Sequence, residues 1–201
     1  MLSSAPIGEY DRRLELLTAE AGRISAFARG ARRPTSRLSA AVRPFAFGRF
    51  ELFQGKSSYS LEKAEITHYF EELTGNVELA YYGFYFLEVC RYFSRENVPA
   101  RAELELLYYS LRALSLPQLQ IRLVRAVFEI KLLDISGICP PPEKAALGDG
   151  AMYAFKFVLE TLVRGLYTFR LSDDVLDEFA SFAAELMKKS TDREFKSLEF
   201  L

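Results

Sequence analysis

Arginine dominates the chemistry open to this sequence, and it is concentrated in one stretch. Gly22 to Phe50 carries Arg23, Arg29, Arg32, Arg33, Arg37, Arg43 and Arg49, with no Asp, Glu or Lys among them. From Arg12 to Lys56, ten basic residues stand against Glu15, Glu20 and Glu51, a net of +7. The whole chain has a formal net charge of −1, so the remainder carries −8. A guanidinium presents a planar fork of donors that matches phosphate oxygens, and it is more weakly hydrated than an ammonium. Charge segregated to this degree points to a polyanion held at one end of the molecule. The plainer alternative is a solvated cationic face.

Catalysis needs a constellation, and none can be assembled. His68 is the sole histidine, which leaves no serine or cysteine a choice of base. Beside Tyr69 and Phe70, it is expected to cap or pack at the start of a helix. Gly148-Asp149-Gly150 lacks the lysine and preceding strand of a phosphate-cradling loop. Glu71-Glu72 and Asp173-Asp174 are adjacent, so each pair diverges on a helix. Cys90, Cys139 and one histidine cannot furnish the four ligands of a structural zinc site. The two cysteines read as reduced thiols of a cytosolic protein. No catalytic residue, metal or cofactor is expected.

The elements that must hold the arginines come next. Half the residues are hydrophobic and 26% are charged, an ordinary globular composition. No apolar run approaches the roughly 18 residues of a membrane span. The opening MLSSAPIGEY lacks the basic and long apolar regions of a signal peptide, so a cytoplasmic protein is expected. Leu2–Ala5 reads as the tail of an incomplete first strand. Asp11–Thr18, Arg23–Arg29, Arg43–Phe53 and Tyr59–Glu65 alternate as strands should. Between them, Gly30–Pro34 (GARRP) reads as an exposed loop and Ser36–Val42 as one helical turn. Short strands with one interposed turn suit a small barrel of the OB type.

Beyond Thr67 the period becomes helical. Val77–Phe93 is apolar nearly all round and holds seven aromatic residues, as a buried central helix would. Its aromatic row reads as core and not as a base-stacking platform. Arg101–Leu114 is amphipathic. Pro117 is expected to open a further helix, with Leu119, Leu123, Val127, Ile130 and Leu133 inward and Arg122, Arg125, Glu129 and Lys131 largely outward. Tyr153–Val163 forms another. Ser172 should cap a last long helix above Asp173-Asp174, and Thr191 with Glu194 reads as a capping box. The expected fold class is α+β. An OB-type nucleic-acid-binding domain occupies residues 1–70 and a helical domain residues 71–201.

The strings Gly8-Glu9-Tyr10-Asp11-Arg12-Arg13-Leu14, Gly22-Arg23-Ile24-Ser25 and Ala28-Arg29-Gly30-Ala31-Arg32-Arg33-Pro34 closely resemble the RecO family of bacterial recombination mediators. The likeness continues through Arg43-Pro44-Phe45, Glu51-Leu52-Phe53, Phe128-Glu129-Ile130-Lys131-Leu132-Leu133 and Lys196-Ser197-Leu198. The resemblance implies binding of single- and double-stranded DNA, annealing of complementary strands, and action with RecR to load RecA onto strands coated by single-strand-binding protein. It also implies a groove on the helical domain for the acidic tail of that coat protein, with Arg122 and Arg125 as its candidate border. Three departures stand out. Relatives usually begin before the Leu2 equivalent, many carry a four-cysteine zinc module near Cys139–Pro142, and some have Arg where this chain has Ala126-Val127.

With that resemblance, Arg29, Arg32, Arg33, Arg37, Arg43 and Lys56 become the expected DNA contacts of a non-enzymatic, nucleoid-associated protein. Two other functions fit the same charge. An OB-type adaptor can bind RNA, and an arginine strip can dock an acidic protein partner.

Overall fold

Period-two alternation in the first third of the chain becomes a single sheet. A computed structural model describes residues 1–56 and 58–200. In it β1 (Ser3–Ile7), β2 (Asp11–Thr18), β3 (Gly22–Ala28), β4 (Phe47–Gln54) and β5 (Tyr59–His68) lie in the order β1-β2-β3-β5-β4. Pairing is antiparallel except between β3 and β5, where Ala26 and Phe27 run parallel to Tyr59 and Ser60. This is an OB-like arrangement left open, since β1 and β4 form its two edges. Leu14 and Leu16 of β2, Ala28 of β3 and Leu61 of β5 turn inward onto Val42 and Ala46. Their neighbours in sequence face the other side of the sheet, as pleating requires, where Leu17 is buried against the helices.

Helices follow: α1 (Glu71–Thr74), α2 (Val77–Phe93), α3 (Arg101–Leu114), α4 (Ile121–Ile135), α5 (Asp149–Glu160) and α6 (Asp173–Ser190). α2 and α3 have the bounds that the sequence pattern predicts. Asn76 starts α2 with a side chain that accepts from the Leu79 N–H at 3.1 Å, which satisfies one orphan donor of the first turn. α2 is the buried centre, and its Phe86 stacks on Phe128 of α4 with ring centroids 4.1 Å apart. The architecture is α+β, an OB-like sheet followed by helices.

Several expected details differ. β5 runs on to His68, so this residue ends a strand instead of starting a helix. Its ring sits among Phe47, Phe70 and Tyr108, with Nε2 3.2 Å from the Tyr108 hydroxyl. α4 begins at Ile121, and Pro117 belongs to the preceding turn. α5 spans Asp149–Glu160, with the Gly148-Asp149-Gly150 segment as its start. Ser172 occupies the cap position of α6 without a side-chain cap bond. The Thr191 hydroxyl donates to the Met187 carbonyl at 2.9 Å rather than forming a capping box. β4 starts at Phe47 because Phe45 adopts a left-handed conformation, φ 64°, that no strand accepts.

Among the contacts that join sheet to helices, two are close enough to leave no room for a Cβ. The β2–β3 turn lies on the loop between α2 and α3. Arg23 N–H donates to the Arg95 carbonyl (3.0 Å), Asn97 N–H to Ala21 (3.0 Å) and Ala100 N–H to Ala19 (3.2 Å). Gly22, at φ 65°, leaves no room for a Cβ against the Arg95 and Val98 carbonyls. At the second contact the buried Phe45 ring fills a notch at Gly83 of α2, where a Cβ would come within 2.8 Å of it. Gly22→Ala should therefore cost about 3 kcal/mol, combining left-handed strain with overpacking. Gly83→Ala should cost about 1–3 kcal/mol. Gly8 is equally left-handed (φ 58°) but has open space around it, so Gly8→Ala should cost only about 1–2 kcal/mol. Urea denaturation of the three variants tests that order.

Candidate nucleic-acid interface

The arginine loop is held by its backbone. Asp11, the first residue of β2, accepts from the Gly30 N–H at 2.7 Å while Gly30 takes φ 64°. Arg32 N–H donates to the Tyr10 carbonyl at 2.9 Å, and Ala31 is buried beneath. A chain of short turns then runs to Ala46, including Val42 N–H to the Leu38 carbonyl at 3.2 Å, a single α-helical turn. Leu38, Val42 and Ala46 fasten this segment to the sheet core. The apolar positions of the stretch thus point in, and its arginines are left outside.

Arg29, Arg32, Arg33, Arg37, Arg43 and Lys56 are all exposed. Arg32 donates from its guanidinium to the Gly8 carbonyl at 3.1 Å, and the Arg33 guanidinium lies 5.0 Å from the centre of the Tyr10 ring. The β1–β2 turn therefore gathers these two. Arg29 and Lys56 line one cleft of about 530 Å³ together with Phe53 and Ser60. Arg37 and Arg43 stand on the following turns, and among the described residues no contact joins them to the other cations. No carboxylate among the described residues lies within ion-pair distance of any of the six. Some cations elsewhere are matched: Arg91 with Glu15, Arg122 with Asp177, Arg125 with Glu129, Lys131 with Asp134, Arg193 with Glu88.

Arg122 and Arg125 meet in a groove of about 290 Å³ between α4 and α6, beside Tyr82, Ala180 and Ala184. Arg122 is exposed and bonded to Asp177 of α6 at 2.6 Å. Arg125 also borders a larger cavity of about 660 Å³, walled by Met187, Phe195 and Leu198 with Lys188 and Arg193. Its guanidinium lies 5.1 Å from the Tyr85 ring centre, and Nε donates to Glu129 at 2.8 Å. Glu129 and Lys131, expected outward, are both buried. The Tyr85 hydroxyl and Arg125 satisfy Glu129, and Lys131 reaches Asp134 and the Leu159 carbonyl, each at 2.9 Å. The i,i+4 spacing of Arg125 and Glu129 was the one sequence signal for this pair. Among the described residues no group of three or more His, Cys, Asp or Glu is placed to hold a metal ion, and no helix is long and apolar enough to cross a membrane.

An OB-like sheet fused to helices, with its charge collected on one loop, is the architecture against which comparison with known proteins is informative. Two family models match, Recombination protein O N terminal over residues 1–70 and Recombination protein O C terminal over residues 75–147. The DNA repair protein RecO of Acetivibrio thermocellus is 27% identical over 96% of this chain and 90% of its own length. That of Symbiobacterium thermophilum is 28% identical over 96% and 90%. That of Pelotomaculum thermopropionicum is 34% identical over 76% of this chain and 59% of its own. The chain belongs to the RecO family.

Burial pushes the Glu129 carboxyl above its ordinary pKa, against the opposing pull of Arg125 and the Tyr85 hydrogen bond. A carboxyl raised on folding stabilises the fold below its unfolded pKa, near about 4.3, and loses that contribution as pH rises through the folded value. Glu129→Gln removes this dependence, so its stability relative to the wild type should fall as the pH is lowered from 7 towards 4. Glu129→Ala strands both partners and should cost about 3 kcal/mol or more at neutral pH. Thermal melts across that pH range check both.

Proposed function

We propose that this chain is a non-enzymatic DNA-binding and strand-annealing mediator of recombinational DNA repair, with residues 1–70 as the DNA-binding domain and 71–201 as the partner-binding domain. The observation that carries the reading is the unpaired cationic loop. Arg29, Arg32, Arg33, Arg37, Arg43 and Lys56 are exposed and have no carboxylate partner among the described residues. A backbone-anchored row of guanidiniums suits phosphates whatever the base sequence, and so suits both single- and double-stranded DNA. The names of the relatives, DNA repair proteins, support the same role. On this reading the protein works at the nucleoid with RecR to pass strands coated by single-strand-binding protein to RecA.

Contacts of this kind release condensed counterions, so log K falls with log salt by about 0.7 per phosphate on a single strand. Replacing Arg32, Arg33 and Arg37 together by Ala should weaken DNA binding regardless of sequence and flatten that slope by about 2. The loss of the Gly8 and Tyr10 contacts should cost about 1–2 kcal/mol of stability. Unchanged affinity and slope in a folded triple variant would sink the proposal. A stronger hold on RNA of the same sequence, or on an acidic protein, would support one of the two other functions.

The cavity on the helical side supports the partner assignment. Apolar walls from Met187, Phe195 and Leu198, with Arg125, Lys188 and Arg193 outnumbering Asp192 and Glu194 around them, suit an acidic peptide ending in an aromatic residue and a carboxylate. Arg125 borders both recesses and Arg122 only the smaller, while each is ion-paired, Arg125 with Glu129 and Arg122 with Asp177. Titration with the tail peptide of single-strand-binding protein should show about tenfold weaker binding for Arg125→Ala and little change for Arg122→Ala. Equal affinity for wild type and both variants removes this groove from the account.

A further inference from the structure

The outer face of the sheet carries a row that neither the core nor the arginine loop uses. Directly paired residues on neighbouring strands share a face. Arg13 of β2 pairs with Phe27 of β3, Phe27 with Ser60 of β5, and Ser60 with Phe53 of β4. The row lies opposite Leu14, Leu16, Ala28 and Leu61, which form the inner core. Phe53 is 61% exposed and Phe27 half-buried, and neither packs against either core cluster. The small Ser60 keeps the space between them clear, and two strand spacings set the rings about 10 Å apart. Arg29 and Lys56 share the Phe53 cleft, whose lining includes one carboxylate, Glu62. The row thus sets one widely exposed ring and one half-buried ring on a single face whose rim is cationic.

We propose that Phe27 and Phe53 form a stacking platform for unpaired bases of single-stranded DNA, with Arg29 and Lys56 holding its phosphates and Arg13 at the far end of the row. This rests on the DNA-binding function proposed above and adds to it a means of telling single strands from duplex. An aromatic face takes any base, but only a base that has left its stack can lie on it. Phosphate contacts alone draw no such distinction. Ser60 is the gap through which the strand passes from one ring to the next.

The chain contains no tryptophan, so Phe53→Trp installs a single reporter at the platform. Binding of oligo-dT should quench its emission, and binding of a duplex should not. Phe53→Ala should weaken oligo-dT binding about tenfold, with duplex affinity and the salt slope unchanged, because no charge is removed. Phe27→Leu keeps an apolar side chain at the half-buried site and should weaken oligo-dT binding in the same selective way, with a melt on the same preparation confirming its fold. The platform is overturned if bound oligo-dT leaves the tryptophan unquenched, if Phe53→Ala and Phe27→Leu bind oligo-dT like wild type, or if they lose duplex equally. Binding that responds to the arginines and ignores the rings would overturn the platform and leave the DNA-binding proposal standing. A wild-type protein that binds no DNA removes both.

Discussion

The seam between sheet and helices is the constraint on which the rest depends, and it is made largely of backbone. Three main-chain hydrogen bonds, two of which make up an isolated bridge between Gly22 and Glu96, fix the β2–β3 turn on the α2–α3 loop. Such bonds require close approach, and close approach requires the missing Cβ of Gly22. The seam also continues the hydrophobic core. Leu2, Leu17, Phe45 and Phe70 from the first part of the chain belong to the same buried cluster as α2, α3 and α4. Phe45 matters twice, for it closes the arginine loop at one end and fills the Gly83 notch at the other. The orientation of the cationic loop is therefore tied to the helices rather than left to the loop itself.

An exposed run of like charges repels itself, and its segment must be held by something other than ion pairs. Here the tethers are a carboxylate on an amide (Asp11 to Gly30), an amide and a guanidinium of Arg32 on carbonyls of the β1–β2 turn, and a guanidinium on a ring (Arg33 and Tyr10). None of them neutralises a guanidinium. Each contributes about 0.5–1.5 kcal/mol, while the positive field reaches solvent intact. A loop fixed by salt bridges would be equally rigid and would present far less charge. The helical side makes the opposite choice. Glu129 is buried against Arg125 and Tyr85, and this pins the guanidinium between two recesses.

Much of this architecture is legible in the residues because its signals are local. The alternation of Asp11–Thr18 and the all-round apolarity of Val77–Phe93 each declare an element without reference to anything distant. What escaped is long-range. Glu129 and Lys131 look like solvated charges on an amphipathic helix, and only Tyr85 and the Leu159 carbonyl, far away in sequence, make their burial tolerable. His68 reads as a helix start because β5 is longer than its alternation suggests, and the strand continues opposite Phe47. Of the six cations expected to bind DNA, the loop arginines are exposed as a GARRP turn implies. That Arg29 and Lys56 share a cleft follows only from the parallel pairing of β3 with β5. Register likewise aligns Phe27 with Phe53, and their outward parity was readable strand by strand whereas their alignment was not.

Taken together, the two kinds of contact proposed here bear on what annealing demands. Complementary strands repel through their phosphates and must still present their base edges to each other. Guanidiniums that engage phosphate oxygens reduce the repulsion and carry no sequence preference. Rings that engage base faces hold a strand unstacked from itself while leaving the Watson–Crick edges open. A surface that instead hydrogen-bonded base edges would select sequences and compete with the incoming strand. The sheet face and the arginine loop offer donors for phosphate and flat apolar rings, with Ser60 as the small polar residue between them. Once pairing occurs, the bases must leave the rings to restack in the duplex. The same surface that gathers single strands would then hold their product by phosphate contacts alone, and more loosely.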